Sequence, residues 1–560
     1  MSHRAPRTRR GFLRDAGHGL AVLGAAGLPG CSGNAGVDAL LQRLGLSDQD
    51  AAYEGDFVGQ RYDRGHLLRT ASTRPPDSTR RTDVIIVGCG IAGLGAARAL
   101  KAGGVNDYRL FDLEDEAGGN SRGGVVGGFA CPWGAHYLPT PGAYADDVAD
   151  LLNEYRLRTV TAGKVQYDET QLCHSPQERL FVAGGWQDGL LPVRGQDAAT
   201  FEAYRKFSRL VREAASTPRA FTIPTSRSTW SEGHAALDAQ TFAQWLDSQA
   251  LTAPALRWYL DYCCRDDYGA GIEHVSAWAG LHYFASRHGF SAPNDPDEAN
   301  RDFEDDGVLT WPEGNAWLAR KLAAPHREQT VTGSLVLRIS ESKHEVEVDV
   351  LDLASEKVTR WITARAIVAT PLFIASRLLT QPPDALREAA AKLPHAPWLV
   401  ANIHIDAPLD EHIGNAPLSW DNVIYGSPGL GYVNAMNQST RAYAGPTVLS
   451  YYAAFGNDPV SGRKALLERG WRDWSETVLM DLEAVHPDLR PKVRRIEIMR
   501  YGHAMAIPAP GVRGSDWLAA LRQPQGRIAF AHSDLSAYSV FEEALHWGRE
   551  AGRTCSARFR

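Results

Sequence analysis

Apolar and polar positions alternate between two regimes along this chain. Residues 83–87 form a short, β-branched apolar run, the pattern of a strand buried on both faces, and the alanine-rich stretch 91–100 that follows reads as a helix. A second apolar run over residues 108–111 predicts the next strand. Between 199 and 285, aromatic residues and leucines recur every three to four positions, as in Phe242, Trp245 and Leu246 and again in Leu256, Tyr259 and Leu260. Such stripes predict helices that turn one face to a core. Residues 345–350 alternate Glu345-Val346-Glu347-Val348-Asp349-Val350, the period of a half-exposed strand. Strand, helix and strand in succession predict an α/β protein.

At 560 residues the chain exceeds what one core usually supports, which predicts two lobes with a site where they meet. A hydrophobic content of 44%, a charged content of 22% and a net charge of -7 describe an ordinary globular enzyme and exclude a nucleic-acid footprint. The seven cysteines show no paired metal-ligand spacing, so neither a structural metal nor an essential disulfide is expected.

The chemistry begins where the first strand meets the first helix, at Gly88-Cys89-Gly90-Ile91-Ala92-Gly93. Gly88 permits a tight turn, Gly90 lets the backbone approach a pyrophosphate, and Gly93 lets helix and strand pack closely. The helix start through Ile91 and Ala92 then favours the phosphate charge. Asp112 closes the next strand at about the ~20-residue spacing of a carboxylate that holds an adenosine ribose.

The continuation from Asp112 to Gly118-Gly119-Asn120-Ser121-Arg122 resembles the flavin-containing amine oxidase superfamily, in which an acid is followed six positions on by Gly-Gly and usually Arg. Asn120 takes the arginine position, and Arg122 is the candidate to supply the charge. The resemblance recurs in order. Trp133-Gly134-Ala135-His136-Tyr137 resembles the segment passing near the flavin, and Trp311-Pro312-Glu313-Gly314-Asn315 the re-entry into the cofactor domain. Val336 falls where a strand residue holds the adenine, and Ala366-Ile367-Val368-Ala369-Thr370-Pro371 matches the strand-to-turn signature. Arg527 to Asp534, followed by Glu542-Glu543-Ala544, is similar to the last motif, with Asp534 in the carboxylate role and Glu543 beside it.

The resemblance implies noncovalent FAD and a discontinuous Rossmann-like FAD-binding domain over residues 80–165, 300–375 and 520–555. An α+β substrate-binding domain would take 166–299 and 376–519. It also implies that a neutral amine presents its α carbon to flavin N5 and loses a hydride equivalent, giving an imine that water hydrolyses. Tyr501, His503, Tyr538 and His136 are the candidates to line the flavin face, and the two histidines to act as acid or base. The strand holding the lysine found in many family members reads Pro397 to Ile405 without one, with Val400 near its position. Oxygen therefore stands beside another acceptor as the oxidant. The acidic residues Asp266, Asp267, Asp305 and Asp306 suggest a polyamine substrate. A carbon–carbon desaturase on the same FAD frame, with a long apolar tunnel, and an electron-relay lipoprotein with no substrate cavity are the alternatives.

The N-terminus reads as an address. Arg9-Arg10-Gly11-Phe12-Leu13 before a short apolar run resembles a twin-arginine signal, implying the twin-arginine export machinery as a partner and an exported, periplasmic or lipid-anchored protein. Leu28-Pro29-Gly30-Cys31 resembles a lipobox, in which Cys31 would carry a lipid anchor. With residues 1–31 as the signal, 32–79 read as an extension ending in the linker Arg74-Pro75-Pro76-Asp77, to which no chemistry is assigned.

Overall fold

A computed structural model describes residues 53–70, 74–173, 177–293, 307–410, 416–437, 439 and 445–559. The paired arginines, Cys31, Asp305 and Asp306 lie outside the described residues.

Five parallel strands form the heart of the first layer, in the order Thr330–Val331, Tyr108–Phe111, Ser78–Val87, Val358–Val368 and Ile528–Phe530. The central strand starts five residues before the apolar run that announced it, because Ser78 to Thr82 extend it along Val358–Val368. Val84, Ile85 and Ile86 are fully buried, each contributing roughly 1.5–3 kcal/mol. The hairpin of Ser334–Glu341 and Val346–Asp352 continues the sheet in antiparallel fashion. Its second strand is buried on both faces rather than half-exposed. Asp349 is accommodated there by ion pairs to Arg338 and Arg360, 2.9 and 2.8 Å long.

The helices Ile91–Ala102 and Phe541–Ser556 lie against each other over this sheet. A Cβ on Gly548 would stand 2.1 Å from the Ala92 carbonyl oxygen, so only glycine permits this approach. The C-terminal helix is thereby pressed onto the helix that follows the first strand, and the two N-termini start beside the same cavity, which Ile91 and Phe541 both line.

The second layer is an eight-stranded mixed sheet whose long strands His395–Ile405, Val493–Ala506 and Thr447–Ala454 are adjacent. The helices Ala198–Ser216, Phe242–Ser248, Pro254–Tyr268 and Ala277–Tyr283 share one apolar core with it, and they account for the aromatic stripes of residues 199–285. Its edge strand is Glu54–Phe57, paired in parallel with Val493–Ala506. The segment assigned to a linker is therefore partly structural. No described helix is long and apolar enough to cross a membrane.

Candidate active site

The fingerprint turns as its glycines require. Gly88 has φ of +100°, and a Cβ there would meet the Ala369 carbonyl oxygen at 2.5 Å. A Cβ on Gly93 would fall 1.9 Å from the Gly88 carbonyl oxygen, so strand and helix touch through this glycine. Gly90 faces Gly119, and a Cβ on Gly119 would meet the Gly90 Cα at 3.1 Å. The two glycine-rich motifs are thus pressed together into one backbone cradle.

This cradle opens on a cavity of about 740 Å³, within the roughly 300–1,000 Å³ of small-molecule sites. Its wall includes Gly88, Gly90, Ile91, Ala92, Gly118 and Gly119. Asp112, Ala135, Val336 and Asp534 also line it. Six arginines face it against three carboxylates, and among the described lining residues there is neither lysine nor cysteine. That balance suits a ligand with a diphosphate charge. Thr370 Oγ1, buried and without a hydrogen-bond partner among the described residues, belongs to a residue of the same wall. A polar ligand there would supply what the protein leaves unmet.

Asp112 accepts hydrogen bonds from Cys89 N at 2.7 Å and Glu114 N at 2.9 Å. Burial raises its pKa, and these two donors act against that. Arg122 lines the cavity, but its guanidinium is engaged: it pairs with Glu114 at 3.1 Å and donates to the Gly119 carbonyl at 3.2 Å. It braces the Gly-Gly turn rather than standing as a free cation, because breaking a buried pair would strand Glu114. Gly93 and Gly134 are packing positions behind the wall. A Cβ on Gly134 would meet the Asn120 carbonyl at 2.3 Å.

Asp534 joins two walls. Its carboxylate accepts from Leu372 N at 2.9 Å and lies 3.2 Å from His395 Nε2 through both oxygens, while His532 Nδ1 sits at 3.1 Å. Burial alone would raise this carboxyl, yet His532 and His395 outweigh it and hold the pKa well below the usual range. Glu543 does not reach the cavity. Its carboxylate accepts from Thr225 N at 2.5 Å and from the Ser536 hydroxyl, tying the C-terminal helix to the substrate lobe.

Of the four residues expected at the flavin face, only His503 lines the cavity. Burial, reinforced by Arg463, lowers its pKa to about 4, so it is neutral near pH 7 and cannot deliver a proton as imidazolium. Tyr501 donates to the Trp133 carbonyl at 3.1 Å, behind the segment that carries Gly134. Tyr538 donates to Asp267 at 2.5 Å in a network with Arg287 and Glu542. Val400 is buried in the core of the second layer.

His136 lies outside the cofactor cavity. Ala135 lines the cofactor cavity, whereas the His136 ring sits 4.6 Å from Tyr452, 4.8 Å from Tyr137 and 5.5 Å from Trp420. Burial pushes its pKa down to about 3. Next to this aromatic wall are Asp266 and Asp421, both half-buried and close enough for the charge of Asp266 to act on Asp421. Burial and the charge of Asp267 push Asp266 up to about 7, with Tyr137 as its hydrogen-bond partner. Burial, Asp266 and Glu178 raise Asp421 well above the carboxylate range. Acids clustered in this way favour a cation, which would relieve both the burial cost and their repulsion. Asp421, Glu178, Trp420 and Tyr452 carry no local motif. They meet Asp266 only because separate strands of the second sheet converge on the helix Pro254–Tyr268.

A model of the family described as flavin containing amine oxidoreductase matches residues 91–555. The chain belongs to the flavin-containing amine oxidoreductases. Its cofactor is FAD, and bound FAD supplies the two-electron acceptor for an amine's α carbon–hydrogen bond. Among solved structures, putrescine oxidase with putrescine bound shares this fold at a TM-score of 0.63 and 17% identity, over 86% of this chain and 100% of that chain. Cyclohexylamine oxidase from Brevibacterium oxydans does so at 0.60 and 17%, over 87% and 100%. A fatty acid isomerase from P. acnes follows at 0.56 and 15%, over 84% and 97%. At such identities these likenesses establish the fold. No curated protein matches the chain. In this amine oxidoreductase Gly88, Gly90, Ile91, Ala92, Gly118 and Gly119, with Asp112, Val336 and Asp534, line the cavity that would hold FAD, and the segment Ala135-His136-Tyr137 runs from its wall to the acidic cluster.

Proposed function

We propose that the substrate is an amine with a second positive charge, a diamine or polyamine, whose distal ammonium enters a hollow walled by Asp266 and Asp421. The supporting observation is the cluster of Asp266, Asp421 and the aromatic rings around His136, one residue along the chain from Ala135 of the cofactor cavity. Tyr137, Trp420 and Tyr452 add ring faces that attract a cation by about 0.5–2 kcal/mol each. An arriving cation draws protons off Asp266 and Asp421, while the neutral reacting end stays on the cofactor side. The same acids disfavour the desaturase reading, which calls for an apolar tunnel. That putrescine oxidase has this fold and binds putrescine accords with the proposal.

The test is anaerobic mixing of the purified protein with diamines, polyamines, cyclohexylamine and fatty acids while the flavin absorbance is followed. Diamines should bleach it fastest; bleaching by no amine would overturn the amine reading. With no lysine along the cofactor cavity among the described residues, admission of air should restore the colour more slowly than an artificial electron acceptor does. Rapid recovery with stoichiometric hydrogen peroxide would instead identify an oxidase. We further propose export through the twin-arginine route, supported by Arg9-Arg10 and the short apolar run after them. Replacing both arginines by lysine should retain the protein in the cytoplasm, and unchanged export would refute this.

A further inference from the structure

We propose that residues 53–69 form a strap that closes the cofactor site over the adenosine diphosphate half of FAD, with Arg69 as a cofactor-binding residue, whereas the Arg61 guanidinium is held by Asp63 at 2.9 and 3.2 Å. This rests on FAD as the ligand.

The strap is fixed at both ends. At the start, Glu54–Phe57 pairs with Val493–Ala506, and Val58 N donates to the Ile498 carbonyl at 2.9 Å. At the end, Leu68 packs among Leu113, Leu335 and Leu337, beside the adenine-side strand that carries Val336. Between these anchors it leans on the segment after Asp112: Arg61 N donates to Glu114 at 3.0 Å and Arg64 to the Leu113 carbonyl at 2.7 Å. That segment carries the ribose-side acid, so the strap covers the nucleotide half.

Its middle has little core of its own. Tyr62 is 44% exposed and the Arg61 side chain 46% exposed, yet Arg61, Tyr62, His66, Leu68 and Arg69 all line the cavity. A segment held at both ends, poorly buried between them and turned toward a large cavity gains its missing contacts from what fills that cavity. Charge points to the occupant. Arg69 on the strap and Arg377 on the opposite wall both influence His66, and neither guanidinium makes a hydrogen bond or ion pair among the described residues. Two unpaired guanidiniums on one cavity call for an anion, and the diphosphate of FAD is the anion this family binds. Arg500, which lines the same cavity, lies 3.5 Å over the Phe57 ring and 5.3 Å from the Tyr62 ring, coupling the strap to the second layer.

Release of FAD then requires the strap to lift. Trypsin acting on the full-length protein, with and without FAD, reads this directly, since Arg61, Arg64 and Arg69 are cleavage points. Cleavage at these sites, mapped by mass spectrometry, should slow at least about tenfold when FAD is bound. Equal rates in a protein that retains its FAD would overturn the strap while leaving the cofactor assignment intact; failure to bind FAD at all would instead overturn the cofactor assignment. As a second arm, the variant Arg69→Ala should release FAD about tenfold faster by gel filtration and flavin fluorescence, with the melting temperature of the cofactor-free form unchanged. Arg74→Ala, outside the cavity, should release it at the wild-type rate. Unaltered release from Arg69→Ala would also refute the proposal.

Discussion

Asp266→Asn and Asp421→Asn should each lower kcat/KM for a diamine by on the order of 100-fold while changing that for a monoamine of equal length by less than about threefold. A desolvated charge pair loses about 2–5 kcal/mol when one partner is removed, and the distal ammonium is present only in the diamine. The pH profile carries the same signature. Asp266 titrates near 7, so below that pH the hollow is largely protonated and attracts a cation weakly. Diamine kcat/KM should rise as pH increases through about 7, and Asp266→Asn should flatten that limb.

Stability should move in the opposite direction from activity. With a folded pKa of about 7 against the ordinary aspartate value of 3.8, Asp266 is held protonated by the native state between these values. The native state therefore binds more protons than the unfolded chain, and stability falls as pH rises from about 4 through 7. Removing the group removes that penalty: Asp266→Asn should match wild type near pH 4 and exceed it by about 1–3 kcal/mol at pH 8. Thermal melts at the two pH values test this. A variant less stable at pH 8 would mean that a stabilising partner, rather than burial and the charge of Asp267, governs Asp266.

Gly93→Ala should yield a folded protein without its yellow colour. The added Cβ would lie 1.9 Å from the Gly88 carbonyl oxygen, which is backbone and cannot swing aside. The helix Ile91–Ala102 must then shift from the strand, opening the cradle at Gly88 and Gly90. Overpacking of this kind costs about 1–3 kcal/mol in stability. FAD affinity should fall by more than about 100-fold, because every backbone donor of the cradle moves together. The ratio of flavin to protein absorbance after purification, followed by titration with FAD, measures it; stoichiometric flavin in the variant would contradict the close packing.

The legible parts of this site are those whose chemistry is local. Gly88, Gly90 and Gly93 declare themselves because turn, cradle and helix start occupy six consecutive residues, and Asp112 follows at the end of the next strand. The C-terminal Asp534 was recognisable from its motif, but its clamp through His395 was not, since the two are 139 residues apart. Glu543 shows the limit of reading a helix start: the motif places it near the cofactor, but only the packed helix shows that its side chain turns to Thr225. His503 and His136 looked titratable from their ordinary pKa, and burial removed that property from both. The hollow was half visible. Asp266 stood out as one of an acidic pair, while Asp421 and Glu178 join it through strand pairing across the second sheet. Residues 54–69 carried no signal, because their role comes from pairing with a strand more than 400 residues later.

The most direct measurement is the ratio of kcat/KM for putrescine to that for butylamine in the wild-type protein at pH 8. The two share a reacting end and differ in the distal charge. A ratio of about 100 or more is predicted from the acidic hollow beside the cofactor, and a ratio near or below one would contradict it.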